Sequence, residues 1–227
     1  MRIAFLMYDQ LTQLDMTGPA QVLSRMPGTS VDYVAKTMDP VMSDCRLALV
    51  PTATLAEPGQ YDFLCVPGGY GCSEAMNDAE ILDWLRTQAP GLQWITSVCT
   101  GSLILAAAGL LQGRRAACHW AWGHYLPLFG AEFVAERTVF DGNFITAGGV
   151  TSGIDFAFRV VTHLHGPDVA ATLRLALEYD PESHTGGTPA TARADIVENV
   201  RALTAQRLGH RDAEMRVAAD RLMGEKR

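Results

Sequence analysis

Short apolar runs alternate with amphipathic stretches along most of this chain. Arg2–Met7, Val31–Lys36, Arg46–Pro51, Phe63–Val66 and Trp94–Val98 are short and apolar, the mark of buried strands. Between them, residues 18–26 set Val22, Leu23 and Met26 on one helical face behind Pro19, a residue suited to a first helical position. Residues 78–88 gather Ile81, Leu82 and Leu85 in the same way, with Asp78 as the cap. Ser102–Leu111 forms a further helix directly behind Trp94–Val98. Later, Arg115–His119, Arg137–Phe140 and Asn143–Ala147 read as strands, the last two joined by the hairpin turn Asp141-Gly142, and residues 151–164 and 167–179 as helices. This alternation predicts an α/β domain over residues 1–180, a mostly parallel sheet with helices on both faces.

Pro181–Pro189, rich in Gly, Pro and Thr, then reads as a linker, and residues 190–225 as one or two mixed-charge helices. Residues 181–227 are too few to fold alone. They are expected to form an arm packed on the domain or on a partner subunit. With 48% hydrophobic residues the chain can bury a real core, and its net charge of −7 argues against a nucleic-acid partner. The apolar run Leu103–Ala108 is far below the roughly 20 residues that cross a bilayer. The N-terminus carries no signal-peptide pattern, so a cytoplasmic location is expected. Five cysteines without a C-x-x-C spacing or a Cys/His cluster fit free thiols, not a zinc site. His163 and His165, two apart on a helix, face different ways and make an improbable metal pair.

Cys99 carries the most chemical information. It stands where Trp94–Val98 turns into a helix at Thr100-Gly101-Ser102, the carboxyl end of a strand, where open parallel sheets build their sites. Helix-start N–H groups favour a thiolate, and lowering a thiol pKa from about 8.5 to about 6 corresponds to roughly 3.4 kcal/mol. The competing assignment is a small buried hydrophobe, which is also the better reading for Cys45, Cys65 and Cys118. Cys72 lies in a glycine-rich loop without an assigned task. Gly68 and Gly69 end the neighbouring strand and offer bare N–H groups for developing negative charge. Asp15 follows the first strand, either as a capping carboxylate or as a proton donor at the same sheet edge. His119, beside Trp120, is either a catalytic or a structural histidine.

Five segments in order carry a resemblance to a known family: Leu14-Asp15-Met16-Thr17-Gly18-Pro19, Val66-Pro67-Gly68-Gly69, Val98-Cys99-Thr100-Gly101-Ser102, His119-Trp120 and Ala147-Gly148-Gly149-Val150-Thr151-Ser152-Gly153-Ile154-Asp155. Together they resemble the ThiJ/PfpI superfamily, which implies a flavodoxin-like, class I glutamine amidotransferase-like fold over nearly all of residues 1–180. Many members carry Glu in the first loop and His after the nucleophilic Cys. Asp15 and Thr100 stand in those places here, the pattern of the isocyanide-hydrating members. The resemblance implies Cys99 as nucleophile, Asp15 and Thr100 as residues needed for activity, and a homodimer without metal or organic cofactor acting on a small apolar isocyanide. Isocyanide chemistry needs a nucleophile and an acid at one carbon, so a thioimidate on Cys99 is expected, with Asp15 protonated at rest beside a thiolate, Gly69 and Thr100 N–H groups steadying charge, and an apolar wall drawn from Met16, Trp120 and Phe140. Other activities of the superfamily stay open: glyoxalase-like hydration, amide hydrolysis, or a cysteine-based redox or ligand sensor. Sensor domains of AraC-type regulators share the Cys-Thr-Gly and His-Trp pieces but add a DNA-binding domain.

Overall fold

In the computed structural model, which describes residues 1–57, 59–182 and 184–224, the first strand β1 (Arg2–Leu6) takes an interior place in a seven-stranded sheet. It is followed by α1 (Gln13–Leu23), β2 (Ser30–Ala35), the short pair β3 (Val41–Met42) and β4 (Ala48–Leu49), then β5 (Ala53–Thr54) and β6 (Phe63–Val66). Next come α2 (Cys72–Ala75), α3 (Ala79–Gln88), β7 (Trp94–Val98), α4 (Gly101–Ala107) and β8 (Arg115–Ala116). The chain continues through β9 (Glu132–Phe133), β10 (Thr138–Asp141), β11 (Phe144–Ala147), α5 (Ser152–His165) and α6 (Pro167–Ala176), and ends in α7 (Ala194–Leu208) and α8 (Arg211–Gly224). Ser183 in the expected linker and residues 225–227 at the end of the expected arm lie outside the described residues.

The sheet order is β10-β11-β7-β6-β1-β2-β5, and every pairing is parallel except the β10–β11 hairpin. The chain runs outward from β1 through β2 to β5, then returns to place β6 on the other side of β1. That reversal is the point at which open α/β sheets form their crevice, outside the carboxyl ends of the strands. β1, β6 and β7 are neighbours there, so the segments following them converge. One helical layer joins α1, α5 and α6; the other joins α2, α3, α4 and α8. All four residues of β6 and the last four of β7 are buried, as sandwiching between two layers demands.

Three elements and one cysteine differ from what the sequence predicts. Helix α1 begins at Gln13, not near residue 18, and Pro19 lies inside it. The chain is seized upstream: the Thr12 N–H donates to Gly68 O at 2.9 Å and Leu11 bridges Gly69, which sets the helix start regardless of proline preference. Arg46–Pro51 is not a strand of the main sheet. Arg46 adopts φ +67° in the turn between β3 and β4, and the ladder resumes only at Ala53, beyond a proline that has no N–H to give. Arg115–His119 shortens to Arg115–Ala116, because the Ala117 N–H leaves the ladder for Thr146 Oγ1 at 2.7 Å. Cys45, expected in the core, is exposed. The arm packs on its own chain through α8, where Met215, Ala218, Ala219 and Leu222 are buried, while α7 buries only Leu208.

Candidate active site

Cys99 sits at a strained elbow. Its φ of +61° falls in the left-handed region that costs a residue with a Cβ energy, so surrounding structure must impose it. Its N–H is shared between Ala147 O at 3.1 Å and Gly148 O at 3.0 Å, and its carbonyl accepts from Ser102 Oγ at 3.2 Å. The turn is tight because Gly101 has no side chain. A Cβ there would collide with the Val66 carbonyl.

Asp15 arrives from the first turn of α1, fully buried. Its Oδ2 accepts from the Gly68 N–H at 3.0 Å, and its side chain interacts with that of Cys99. The other carboxyl oxygen, Oδ1, has no hydrogen-bond partner. Thr100 is buried as well, and its Oγ1 accepts from the Gly69 N–H at 3.1 Å. The backbone N–H of Thr100 favours negative charge on the Cys99 sulfur. Three segments that are distant in sequence thus lock together, with the Gly68-Gly69 turn as the clasp. Gly68 lies so close to Thr100 that a Cβ would stand 2.5 Å from its amide nitrogen.

This arrangement corrects the expected part of the glycines. Gly68 and Gly69 are not bare donors awaiting an oxyanion; one N–H holds Asp15 and the other holds Thr100. It also corrects the expected resting thiolate. Burial, then the neighbouring Asp15 and Cys118, push the Cys99 thiol well above its ordinary range. A helix of only 7 residues does not offset that desolvation. Asp15 is driven the same way, its pKa raised to about 8 chiefly by burial, against the opposing bonds from Cys99 and Gly68. Burial thus pushes both groups of the pair toward their protonated forms.

His119 is partly buried and stacks on Trp120, ring centroids 5.8 Å apart. Its Nδ1 accepts from the Ala121 N–H at 3.2 Å, which places the remaining proton on Nε2. Burial, followed by the charge of Arg211, lowers its pKa and keeps it neutral. Gly149 lies between this ring and the Cys99 sulfur. A Cβ on it would press on the imidazole edge and stand 3.2 Å from Cys99 Sγ. The missing side chain leaves open space beside the Cys99 sulfur. Gly149→Ala should therefore cut kcat/KM by about a hundredfold with a smaller effect on thermal stability, read by steady-state kinetics beside a melting curve.

Trp120 lines a cavity of about 550 Å³ whose wall mixes Trp122, Tyr125, Phe133 and Leu208 with His124, Arg201 and Asp212, and neither Cys99 nor Asp15 borders it. Met16 is buried next to Asp15. Phe140 does not belong to the site. Its ring meets His163, which also packs on Trp94 at the opposite end of the strand that delivers Cys99. Two residues escaped the sequence reading. Tyr8, just past β1, is buried and donates to Pro67 O at 2.8 Å; its position after a central strand was the available signal. Arg211 comes from α8, 142 residues beyond the Gly69 carbonyl it binds, and nothing local marks it. Among the described residues, Glu74, His210 and Glu214 bring ligand atoms within 4.8 Å of one another where α8 meets α2, away from the sulfur.

The DJ-1/PfpI family model matches residues 1–163. An isonitrile hydratase of Pseudomonas putida is 46% identical over 202 residues, 88% of this chain and 89% of that protein. A glutathione-independent glyoxalase, DJR-1.2 of Caenorhabditis elegans, is 27% identical over 148 residues, covering 64% of this chain and 79% of its own. Among solved structures, a ThiJ/PfpI family protein from Pseudomonas syringae superposes with a TM-score of 0.90 at 38% identity, covering 96% of this chain and 90% of that one.

Proposed function

The chain belongs to the DJ-1/PfpI family, and from that premise we propose that it is an isonitrile hydratase, adding water to an isocyanide to give an N-substituted formamide. The observation that carries this reading is the fully buried Asp15 carboxyl, held by the Gly68 N–H and interacting with the buried Cys99 thiol. The 46% identity to an isonitrile hydratase supports it.

The terminal carbon of R–N≡C must receive both a nucleophile and a proton. A thiolate acting alone would leave a carbanion on that carbon, so acid and nucleophile have to address one atom. Asp15 gives its proton to the carbon as Cys99 sulfur bonds to it, and the resulting carboxylate takes the thiol proton. The product of this half is a thioimidate, R–N=CH–S, with Asp15 protonated again. Asp15 then protonates the imidate nitrogen and, now ionised, accepts a proton from the attacking water. The tetrahedral adduct R–NH–CH(OH)–S collapses, its hydroxyl proton passing through Asp15 to the departing sulfur. Formamide and free thiol remain, with every proton accounted for. The Thr100 amide steadies sulfur as it gains and loses charge, and its hydroxyl, pinned by Gly69, holds the water or the carboxyl in line. His119 stays neutral and does not compete as the acid.

Incubation with cyclohexyl isocyanide followed by mass spectrometry tests the reading. N-cyclohexylformamide should accumulate, and a parallel incubation with methylglyoxal should yield no lactate. The reverse outcome would move the chain to the glyoxalase side of its family.

A further inference from the structure

We infer that the C-terminal arm belongs to the catalytic machinery, with Arg211 as a positioning residue that holds the Gly69-Tyr70 loop and, through it, Thr100 and Asp15. Arg211 opens α8, yet it is 1% exposed. Its Nη2 donates to Gly69 O at 2.8 Å and also to Tyr70 O, and its guanidinium stands 4.9 Å over the Trp122 ring. Among the described residues no carboxylate pairs with it, and its Nε has no partner. A lone buried cation is a poor way to fill space, since an apolar side chain of similar size packs there without losing hydration. What the cation does is bind two successive carbonyls of one loop.

That loop is the clasp of the site. Gly69 is held from both sides: its N–H by Thr100 Oγ1 and its carbonyl by Arg211, at a φ of +150° that favours glycine. One residue earlier, the Gly68 N–H carries Asp15 Oδ2. Releasing the carbonyl end lets this turn relax and withdraws both amides from the residues they orient. The Arg211 charge also reaches the site itself. After burial, it is the second influence keeping His119 neutral, and it opposes the burial that raises the Cys72 thiol.

The inference rests on the hydratase reading only for its turnover measurement, so two readouts are needed. In R211M, kcat for cyclohexyl isocyanide should fall at least about tenfold, with KM changing much less, as expected when orientation and not binding is lost. The second readout needs no substrate: iodoacetamide alkylation of Cys99 against pH, followed at the Cys99 peptide, should shift toward higher pH. Should R211M not fold, R211Q, which keeps one N–H₂ group and drops the charge, should show the same two changes. A folded variant with wild-type kcat and an unmoved alkylation profile overturns the inference, even if its melting temperature drops. If the wild-type chain hydrates no isocyanide, the hydratase reading fails, and the alkylation profile alone decides whether Arg211 shapes the site.

Discussion

Cys99→Ala is expected to reduce formamide production to background, a loss of roughly a thousandfold or more, while the protein stays folded. Both halves of that expectation have separate grounds. The chemical half follows from the thioimidate: alanine offers no atom to hold the carbon between proton delivery and water attack. Asp15 alone could only protonate the isocyanide and wait for an unassisted water. The structural half follows from the elbow. Alanine has the same Cβ as cysteine, so the φ of +61° costs it no more, and the hydrogen bonds that hold the turn use the backbone of residue 99. Removing one sulfur from a buried site leaves a small cavity, worth about 1 kcal/mol. Intact-protein mass spectrometry of acid-quenched reactions separates this mechanism from its rivals. The wild type should carry one substrate mass on the Cys99 peptide, and C99A none. Wild-type turnover in C99A would end covalent catalysis as an explanation.

The sheet and the strand-to-helix elbow at Cys99 were legible because they rest on local pattern. Buried strands such as Phe63–Val66 and Trp94–Val98 are continuous apolar runs, and a Cys-Thr-Gly following one is a recognisable break in period. Even the antiparallel hairpin was announced by Asp141-Gly142. What the chain does not spell out locally is how segments capture one another. Pro19 marks a helix start in isolation, yet the clasp on Leu11 and Thr12 starts α1 earlier and carries Asp15 into its first turn. The glycines looked like donors for substrate, but their N–H groups are taken by side chains from the other two segments. The thiolate expectation failed for a related reason. A helix start is visible in sequence, whereas the burial that outweighs it arises only when α1, the Gly68-Gly69 turn and the elbow close together. Arg211 is the extreme case, one arginine among several in a mixed-charge arm, distinguished only by where folding buries it.

Asp15→Asn should abolish most turnover and, at the same time, make the protein more stable at neutral pH. The amide keeps the geometry of the acid. Its oxygen can still accept from the Gly68 N–H, and its N–H₂ can face sulfur as the protonated carboxyl does, but it has no proton to give to carbon. Losing a general acid costs about 10²–10⁴ in rate. The stability gain comes from linkage. The Asp15 pKa is 3.8 in its ordinary state and about 8 when buried, so the folded protein binds a proton here that the unfolded chain has released. The folded state is favoured most below pH 4, and that advantage drains away as pH rises toward 8. By pH 7 the handicap is on the order of 4 kcal/mol, at about 1.4 kcal/mol for each pH unit above the unfolded value. An asparagine does not titrate and escapes it. Urea denaturation from pH 4 to 9 should show D15N losing less stability than wild type across that window, so that the curves separate with rising pH. The wild-type rate should decline as pH passes about 8, where the acid loses its proton. Equal pH slopes for the two proteins would mean that Asp15 ionises as an ordinary carboxylate, and proton delivery to the isocyanide would then need another source.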